Sequence, residues 1–163
     1  MRERTTDDLC TPRIVIDALR PLGPITLDPC TNQWSTVSAK KKLDGSPGFC
    51  GLSANWRELA ARGLVFVNPP YGRGQMPLWS RKATLEAARG CEIVMLVKGD
   101  HSTDWWRVLR ADAKAIAYWN DRISFDGGPH GCGNFASALF YFGGRAKLFE
   151  RSLAAHADIR VLR

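Results

Sequence analysis

Twice in this chain a short strand-like run ends in a polar residue followed by proline. Ile25-Thr26-Leu27 runs into Asp28-Pro29, and Leu64-Val65-Phe66-Val67 runs into Asn68-Pro69-Pro70-Tyr71. A strand that is apolar at every position has to be covered on both faces, which happens where parallel strands are joined by crossover helices. The sequence between and after these runs supplies such helices. Thr11-Pro12 reads as an N-cap with proline at the first helical position, and Ile14, Val15, Ala18 and Leu19 form one apolar stripe, so a helix is predicted over Pro12–Arg20. A helical pattern follows at Pro77–Arg89, a strand at Glu92–Val97, and a helix opening near Ser102 or Thr103 that carries Trp105, Val108 and Leu109. Strand signals return at Ala113–Trp119, Arg122–Phe125 and Phe135–Phe142. The expected fold is therefore α/β, an open and largely parallel sheet with helices on both faces. Asn32–Arg62, rich in Lys, Gly, Ser and Trp, has no strand pattern and is expected to be a looped connection.

In sheets of this kind ligands bind beyond the carboxyl ends of the strands, so the two proline loops frame the expected site. The 163 residues suit one domain, and 45% apolar residues with six Trp and seven Phe suffice for a core. No apolar run approaches the roughly 20 residues of a membrane helix, and Met1-Arg2-Glu3-Arg4 opens no signal peptide. A soluble cytoplasmic protein without membrane contact is expected. A net charge of +7 favours a polyanionic partner through counterion release, although a basic surface is often merely solvated. The five cysteines are scattered, odd in number and without a Cys-x-x-Cys pair, which opposes a disulfide framework and a zinc ribbon. His130-Gly131-Cys132 lacks a second pair of ligands nearby, so no metal is expected.

The strongest motif is Asn68-Pro69-Pro70-Tyr71. Prolines donate no backbone hydrogen bond and hold φ near −65°, leaving a rigid stretch rich in carbonyl acceptors. Such a stretch suits an amine substrate. The Asn68 side-chain oxygen and the Pro69 carbonyl can accept both protons of an adenine amine, turning its lone pair toward an incoming methyl group, while Tyr71 offers a face to an extruded base. The plain alternative is a strand ending in a diproline turn, with Asn68 as turn former and Tyr71 in the core.

Further residues join this motif: Thr11-Pro12 with its helix, Leu27-Asp28-Pro29-Cys30, Gly51-Leu52-Ser53-Ala54-Asn55-Trp56, Gly72, Trp79, Met95-Leu96, Asp104-Trp105, and Arg122 with Phe125. Taken together, the chain resembles the phage-type DNA N6-adenine methyltransferases, which depend on S-adenosylmethionine (SAM), over most of Thr11–Phe142. The resemblance implies a reduced Rossmann-like methyltransferase fold, a single domain over residues 1–163 without a separate target-recognition domain, and a bacterial host cytoplasm with a phage as a possible source. It implies methylation of adenine N6 in DNA, catalysed by Asn68, Pro69, Pro70 and Tyr71. It also implies that SAM is held by Asp28, Pro29, Cys30 and Asn68, with Asp28 on its ammonium group and Thr11 and Pro12 lining the opposite side.

The sequence departs from the wider pattern at several points. Thr31-Asn32 stands where a glycine-rich turn is expected, and Cys50 where an acidic residue precedes Gly51-Leu52. Asp44 is a candidate ribose contact or a plain turn with Gly45. Lys40–Phe49 and Asp126–Asn134 are the candidate DNA-reading loops. Asp104 is expected to cap its helix, and Trp105-Trp106 to be one surface and one core residue. His101, His130 and His156 belong to no nucleophile constellation. Two other functions share these features: methylation of an RNA or protein-glutamine amine, and DNA binding without catalysis on a retained fold.

Overall fold

The structure is a computed structural model that describes residues 9–125 and 135–162. Its elements are α1 (Arg13–Leu19), β1 (Ile25–Asp28), β2 (Lys41–Lys42), α2 (Trp56–Ala60), β3 (Leu64–Val67), α3 (Gln75–Ala88), β4 (Glu92–Lys98), α4 (Asp104–Asp112), β5 (Ala115–Trp119), β6 (Ser137–Phe142), α5 (Ala146–Leu153) and β7 (Ala157–Val161). A short 3-10 turn, Arg20–Leu22, follows α1.

The strands form one sheet in the order β2-β1-β3-β4-β6-β5-β7. The ladders joining β2, β1, β3 and β4 are parallel, and those joining β4 to β6, β6 to β5 and β5 to β7 are antiparallel. The expectation of a largely parallel sheet thus holds for the half bearing the proline loops and fails for the other half. β6 enters the slot between β4 and β5, two strands of like direction, and so runs against both.

β3 is buried at all four positions because alternate residues serve opposite layers. Leu64 and Phe66 pack with Val15 and Leu19 of α1 and with Phe149 and Leu153 of α5. Val65 and Val67 pack with Trp56 of α2, Trp79 and Ala83 of α3, and Trp106 and Leu109 of α4. Helices therefore cover both faces, as the unbroken apolar strands require. Trp106 meets Phe140 edge-on at 4.7 Å, while Trp105 is half-buried, matching the expected division between core and surface.

Several elements differ from the sequence reading. Arg122–Phe125 is outside the sheet, although Ile123 and Phe125 are buried and Arg122 and Ser124 exposed; the alternation comes from a coil laid on the core. Asn32–Arg62 contains β2, two exposed lysines at the sheet edge, and α2, whose N-cap Asn55 accepts from the Glu58 amide at 3.2 Å. Neither has an apolar run to announce it. Thr11 does not cap α1; Pro12 takes the N-cap position, and the Thr11 side chain is committed elsewhere. Thr103 is the N-cap of α4, and Asp104 follows in the first turn, where it pairs with Arg107 and its charge suits the helix dipole.

Candidate active site

The chain leaves β1 toward β2 on one side, and its later strand β3 lies on the other, so the strand order reverses at β1. A crevice outside the carboxyl ends of the strands is expected at such a reversal. Asp28 is the last residue of β1 and Asn68 the first after β3, and both line one small pocket there, together with Thr11, Cys30, Asn32 and Ser35.

The Asn68 side chain is held at both ends. Its amide nitrogen donates to the Leu9 carbonyl at 3.2 Å and to the Thr11 hydroxyl at 3.1 Å. Its amide oxygen lies 3.3 Å from the Tyr71 hydroxyl. The Leu9 carbonyl can only accept, so the reverse amide orientation would set two acceptors against each other; the network leaves Asn68 one orientation. A carbonyl oxygen has two lone pairs, so one acceptor direction on Asn68 is still available. The Tyr71 hydroxyl also reaches the Leu96 carbonyl of β4, at 3.2 Å. Burial pushes the Tyr71 phenol well above its ordinary range, so this hydroxyl stays protonated and serves as a donor.

Asp28 is 4% exposed. Burial pushes its carboxyl up to about 6, opposed by the Cys30 amide, which donates to it at 3.2 Å, and by the charge of Lys42. Lys42 is paired in register with Asp28 on β2 but is exposed, and among the described residues no cation lies within ion-pair distance of the carboxylate. Burial, and then the neighbouring Asp28, raise the Cys30 thiol well above its ordinary value, which disfavours the thiolate.

Tyr71 lies 5.6 Å from the Phe135 ring, which lies 5.7 Å from Phe125. The Lys98 ammonium, at the end of β4, sits 4.9 Å from the Tyr71 ring centre and 5.0 Å from that of Phe135.

The turn before α2 closes the other flank. A Cβ on Gly51 would stand 1.8 Å from the Pro29 carbonyl oxygen, so only glycine lets this turn press on the Asp28-Pro29 loop. The Trp56 indole donates to the Gly51 carbonyl at 2.7 Å, and the Lys82 ammonium of α3 donates to the Ala54 carbonyl at 2.6 Å.

The family model described as DNA N-6-adenine-methyltransferase (Dam) matches residues 1–142. The chain belongs to that family. It is a DNA N6-adenine methyltransferase, and DNA is its substrate. No curated protein matches it. The matched stretch ends with β6, so α5 and β7 lie beyond it.

Within this Dam-family chain, the residues expected at the site fall into two groups. Thr11, Asp28, Cys30 and Asn68 line the common pocket, and Tyr71 is bonded to Asn68. Pro29 and Pro69 are buried beside them, and Pro12 and Pro70 are half-buried. Thr11, expected to face a cofactor, spends its hydroxyl on Asn68. Asp44 is exposed and closes a turn on Ser46, accepting from its amide at 3.1 Å and from its hydroxyl at 2.6 Å. Within the Lys40–Phe49 segment, Lys41 and Lys42 form β2 rather than a loop. The Asp126–Asn134 segment, with His130 and Cys132, lies outside the described residues. Among the described residues no His, Cys, Asp and Glu cluster suits a metal, and no helix is long and apolar enough to cross a membrane.

Sequence reasoning overlooked Lys98, Phe135 and Lys82, whose places become evident only once β4, β6 and α3 are aligned. It also missed a cavity of about 530 Å³ at the amino end of the sheet, lined by Gly90, Glu92, Lys114 and Gly143. None of the expected site residues borders that cavity.

Proposed function

We propose that this chain methylates adenine N6 with SAM as donor on a Rossmann-like domain spanning residues 1–163, using Asp28, Pro29 and Cys30 with Thr11 and Pro12 for the cofactor and Asn68, Pro69, Pro70 and Tyr71 for catalysis. The observation that carries the reading is the meeting of Asp28 and Asn68 in one pocket at the carboxyl ends of adjacent parallel strands. The donor set fits. A buried carboxylate without an ion-pair partner among the described residues suits the ammonium of an amino-acid moiety, and the cradle at Gly51 brings a second loop against the same strand end. The reversal of strand order at β1, with helices on both faces, supports the Rossmann-like assignment.

SAM supplies an electrophilic methyl group on a sulfonium. The chain's own part is positioning. Asn68 and the Pro69 carbonyl accept the amine protons and orient the nitrogen lone pair, while Thr11 and Leu9 hold the Asn68 amide in place. Tyr71 presents a ring fixed through its hydroxyl. Amine methylation needs no strong base beforehand, which suits a pocket that has no histidine among the described residues lining it. Methylation is site-specific on this reading, with Lys40–Phe49 and Asp126–Asn134 as the candidate DNA-reading segments.

The test is nucleoside mass spectrometry of unmethylated DNA after incubation with protein and SAM, alongside calorimetric titration of SAM. N6-methyladenine with saturable SAM binding is expected. DNA binding with no heat from SAM would instead assign the chain to non-catalytic DNA binding.

A further inference from the structure

We propose that Lys98 grips the phosphate of the target nucleotide, and that the structure holds its ammonium in a parked position on the rings of Tyr71 and Phe135. This rests on the reading of Tyr71 as the face on which the extruded base lies.

Lys98 ends β4 in a fixed place. It pairs in register with Ser137 of β6, and the next amide, Gly99, donates to the Ala136 carbonyl at 2.7 Å, so the strand end cannot shift. The stem emerges beside the carboxyl end of β3, where Asn68-Pro69-Pro70-Tyr71 begins. Its ammonium lies 4.9 Å from the Tyr71 ring centre and 5.0 Å from the Phe135 ring centre, and the two rings are 5.6 Å apart. Among the described residues it has no carboxylate partner, so its charge is compensated only by ring faces. That attraction is weak next to one between full charges. The Ser137 hydroxyl, cross-strand from Lys98, is buried and has no hydrogen-bond partner among the described residues, a second polar group with capacity unspent.

A base stacking on Tyr71 needs the ring face that the ammonium occupies. The hydroxyl of Tyr71 is tied to Asn68 and Leu96, so the ring does not yield; the flexible lysine stem does. Extrusion rotates a nucleotide about its backbone, so the base enters the pocket while the phosphates on either side of it stay at the mouth of the crevice. An ammonium displaced from the ring then meets the strongest anion in reach. Contact with a ring nitrogen of adenine would instead leave the charge without a counterion. The result is a device that covers the aromatic platform in the free protein and holds the backbone in the complex.

The experiment compares wild type, Lys98→Gln and Lys98→Arg in binding single-stranded oligo(dA) and an abasic oligomer of equal length over a salt series, without SAM. Loss of one phosphate contact makes the slope of log K against log salt shallower by about 0.7. That change is expected in Lys98→Gln on oligo(dA), whose bases displace the ammonium from Tyr71, and not on the abasic oligomer, with the wild-type slope restored in Lys98→Arg. In turnover, Lys98→Gln should raise KM for DNA while leaving SAM affinity unchanged. An unchanged slope in Lys98→Gln on oligo(dA) overturns the proposal even where affinity falls, because a fall without a change of slope would mark a base contact, and so does an equal change of slope on both oligomers, which would mean that no base displaces the ammonium. Failure of the methyltransferase reading looks different: wild type itself would transfer no methyl group, whatever the slopes.

Discussion

The Tyr71 hydroxyl lies 3.3 Å from the Asn68 amide oxygen, so the first and last residues of the Asn-Pro-Pro-Tyr motif hold each other across the two prolines. The same oxygen is the proposed acceptor for the adenine amine. Asn68→Ala removes that acceptor and also releases the amide contacts to Leu9 and Thr11. Single-turnover methylation should fall by roughly 10²-fold or more, by analogy with the loss of one preorganised polar group. Asn68→Asp should fare no better, because a carboxylate cannot donate to the Leu9 carbonyl. Near-normal turnover by a folded Asn68→Ala protein would remove the motif from the chemistry.

For Tyr71 the ring and the hydroxyl separate. Tyr71→Phe keeps the stacking face but loses the contacts to Asn68 and Leu96, and one such hydrogen bond is worth about 0.5–1.5 kcal/mol, a loss of roughly 3- to 10-fold. Tyr71→Ala also loses the stacking, a further 1–3 kcal/mol or so. Rate measurements on both variants at saturating SAM give the order wild type, Phe, Ala. Equal rates for the Phe and Ala variants would show that no base stacks on this ring.

Asp28 should make both stability and cofactor binding depend on pH near 6. Its folded carboxyl is raised by burial from 3.8 to about 6. A raised value means that its contribution to stability is fully present below pH 3.8 and lost as pH rises through about 6. At pH 8 the buried charge thus costs on the order of 3 kcal/mol, about two pH units at about 1.4 kcal/mol each. Asp28→Asn should therefore be more stable than wild type at pH 8 in urea unfolding, and the gain should shrink toward pH 5. SAM affinity should move oppositely, falling in wild type below about pH 6 as the carboxylate is protonated. A pH-independent affinity in wild type would separate Asp28 from the cofactor.

The central strands β3 and β4 were legible in the sequence because buried strands announce themselves. Leu64–Val67 has four apolar residues in a row and a diproline stop, and Glu92–Val97 is nearly as plain. β2 was not legible: two exposed lysines carry no apolar signal, and their pairing to β1 is set by backbone bonds such as Leu43 to Asp28 at 2.9 Å. The basic C-terminal stretch hid α5 and β7, because its charges outnumber the few residues, Phe149, Leu153 and Ala157, that reach the core. At the site, Asp28 and Asn68 could be chosen from their place after strands. Their shared pocket depends on strand order, which local patterns do not encode. Thr11 reads as a helix cap for the same reason, since the partner its hydroxyl takes instead, Asn68, lies 57 residues away.

Gly51→Ala tests the cradle beside β1. The added methyl would meet the Pro29 carbonyl oxygen at 1.8 Å and the Trp79 ring at 2.9 Å, and neither has room to retreat, Pro29 and Trp79 being buried. One of the two loops must move. The variant should lose about 1–3 kcal/mol of stability, as overpacked sites do, and its SAM affinity should fall more than its DNA affinity. Thermal melts with parallel titrations check this. A variant with wild-type melting and SAM affinity would mean that the Gly51 turn does not bear on the site.

A buried ion pair on α3 clamps that turn. Lys82 and Glu86, one helical turn apart on α3, have side chains 10% and 0% exposed and meet at 2.7 Å. Glu86 also takes Arg89 at 3.0 Å and the Arg57 amide at 3.4 Å, while Lys82 donates to the Ala54 carbonyl and lies over the Trp56 ring. Burial pushes the Glu86 carboxyl up, but the Lys82 hydrogen bond and charge, the Arg57 amide and Arg89 outweigh it and leave the carboxyl below its ordinary value. A depressed carboxyl contributes stability above its unfolded value and loses it as pH falls through the folded one. Glu86→Gln leaves Lys82 buried without its counter-charge, and should cost about 3–5 kcal/mol at neutral pH. That deficit should narrow under acid, where wild type loses the same pairing. Replacing both partners, as Lys82→Met with Glu86→Leu, should recover much of the stability, because a buried pair exchanged for apolar residues of similar volume is often neutral. It should not recover the tether to Ala54, so the double variant is expected to fold well and still bind SAM more weakly. Urea unfolding against pH, with SAM titration of all three proteins, distinguishes these effects. Wild-type SAM affinity in the stable double variant would reduce the clamp to a packing role.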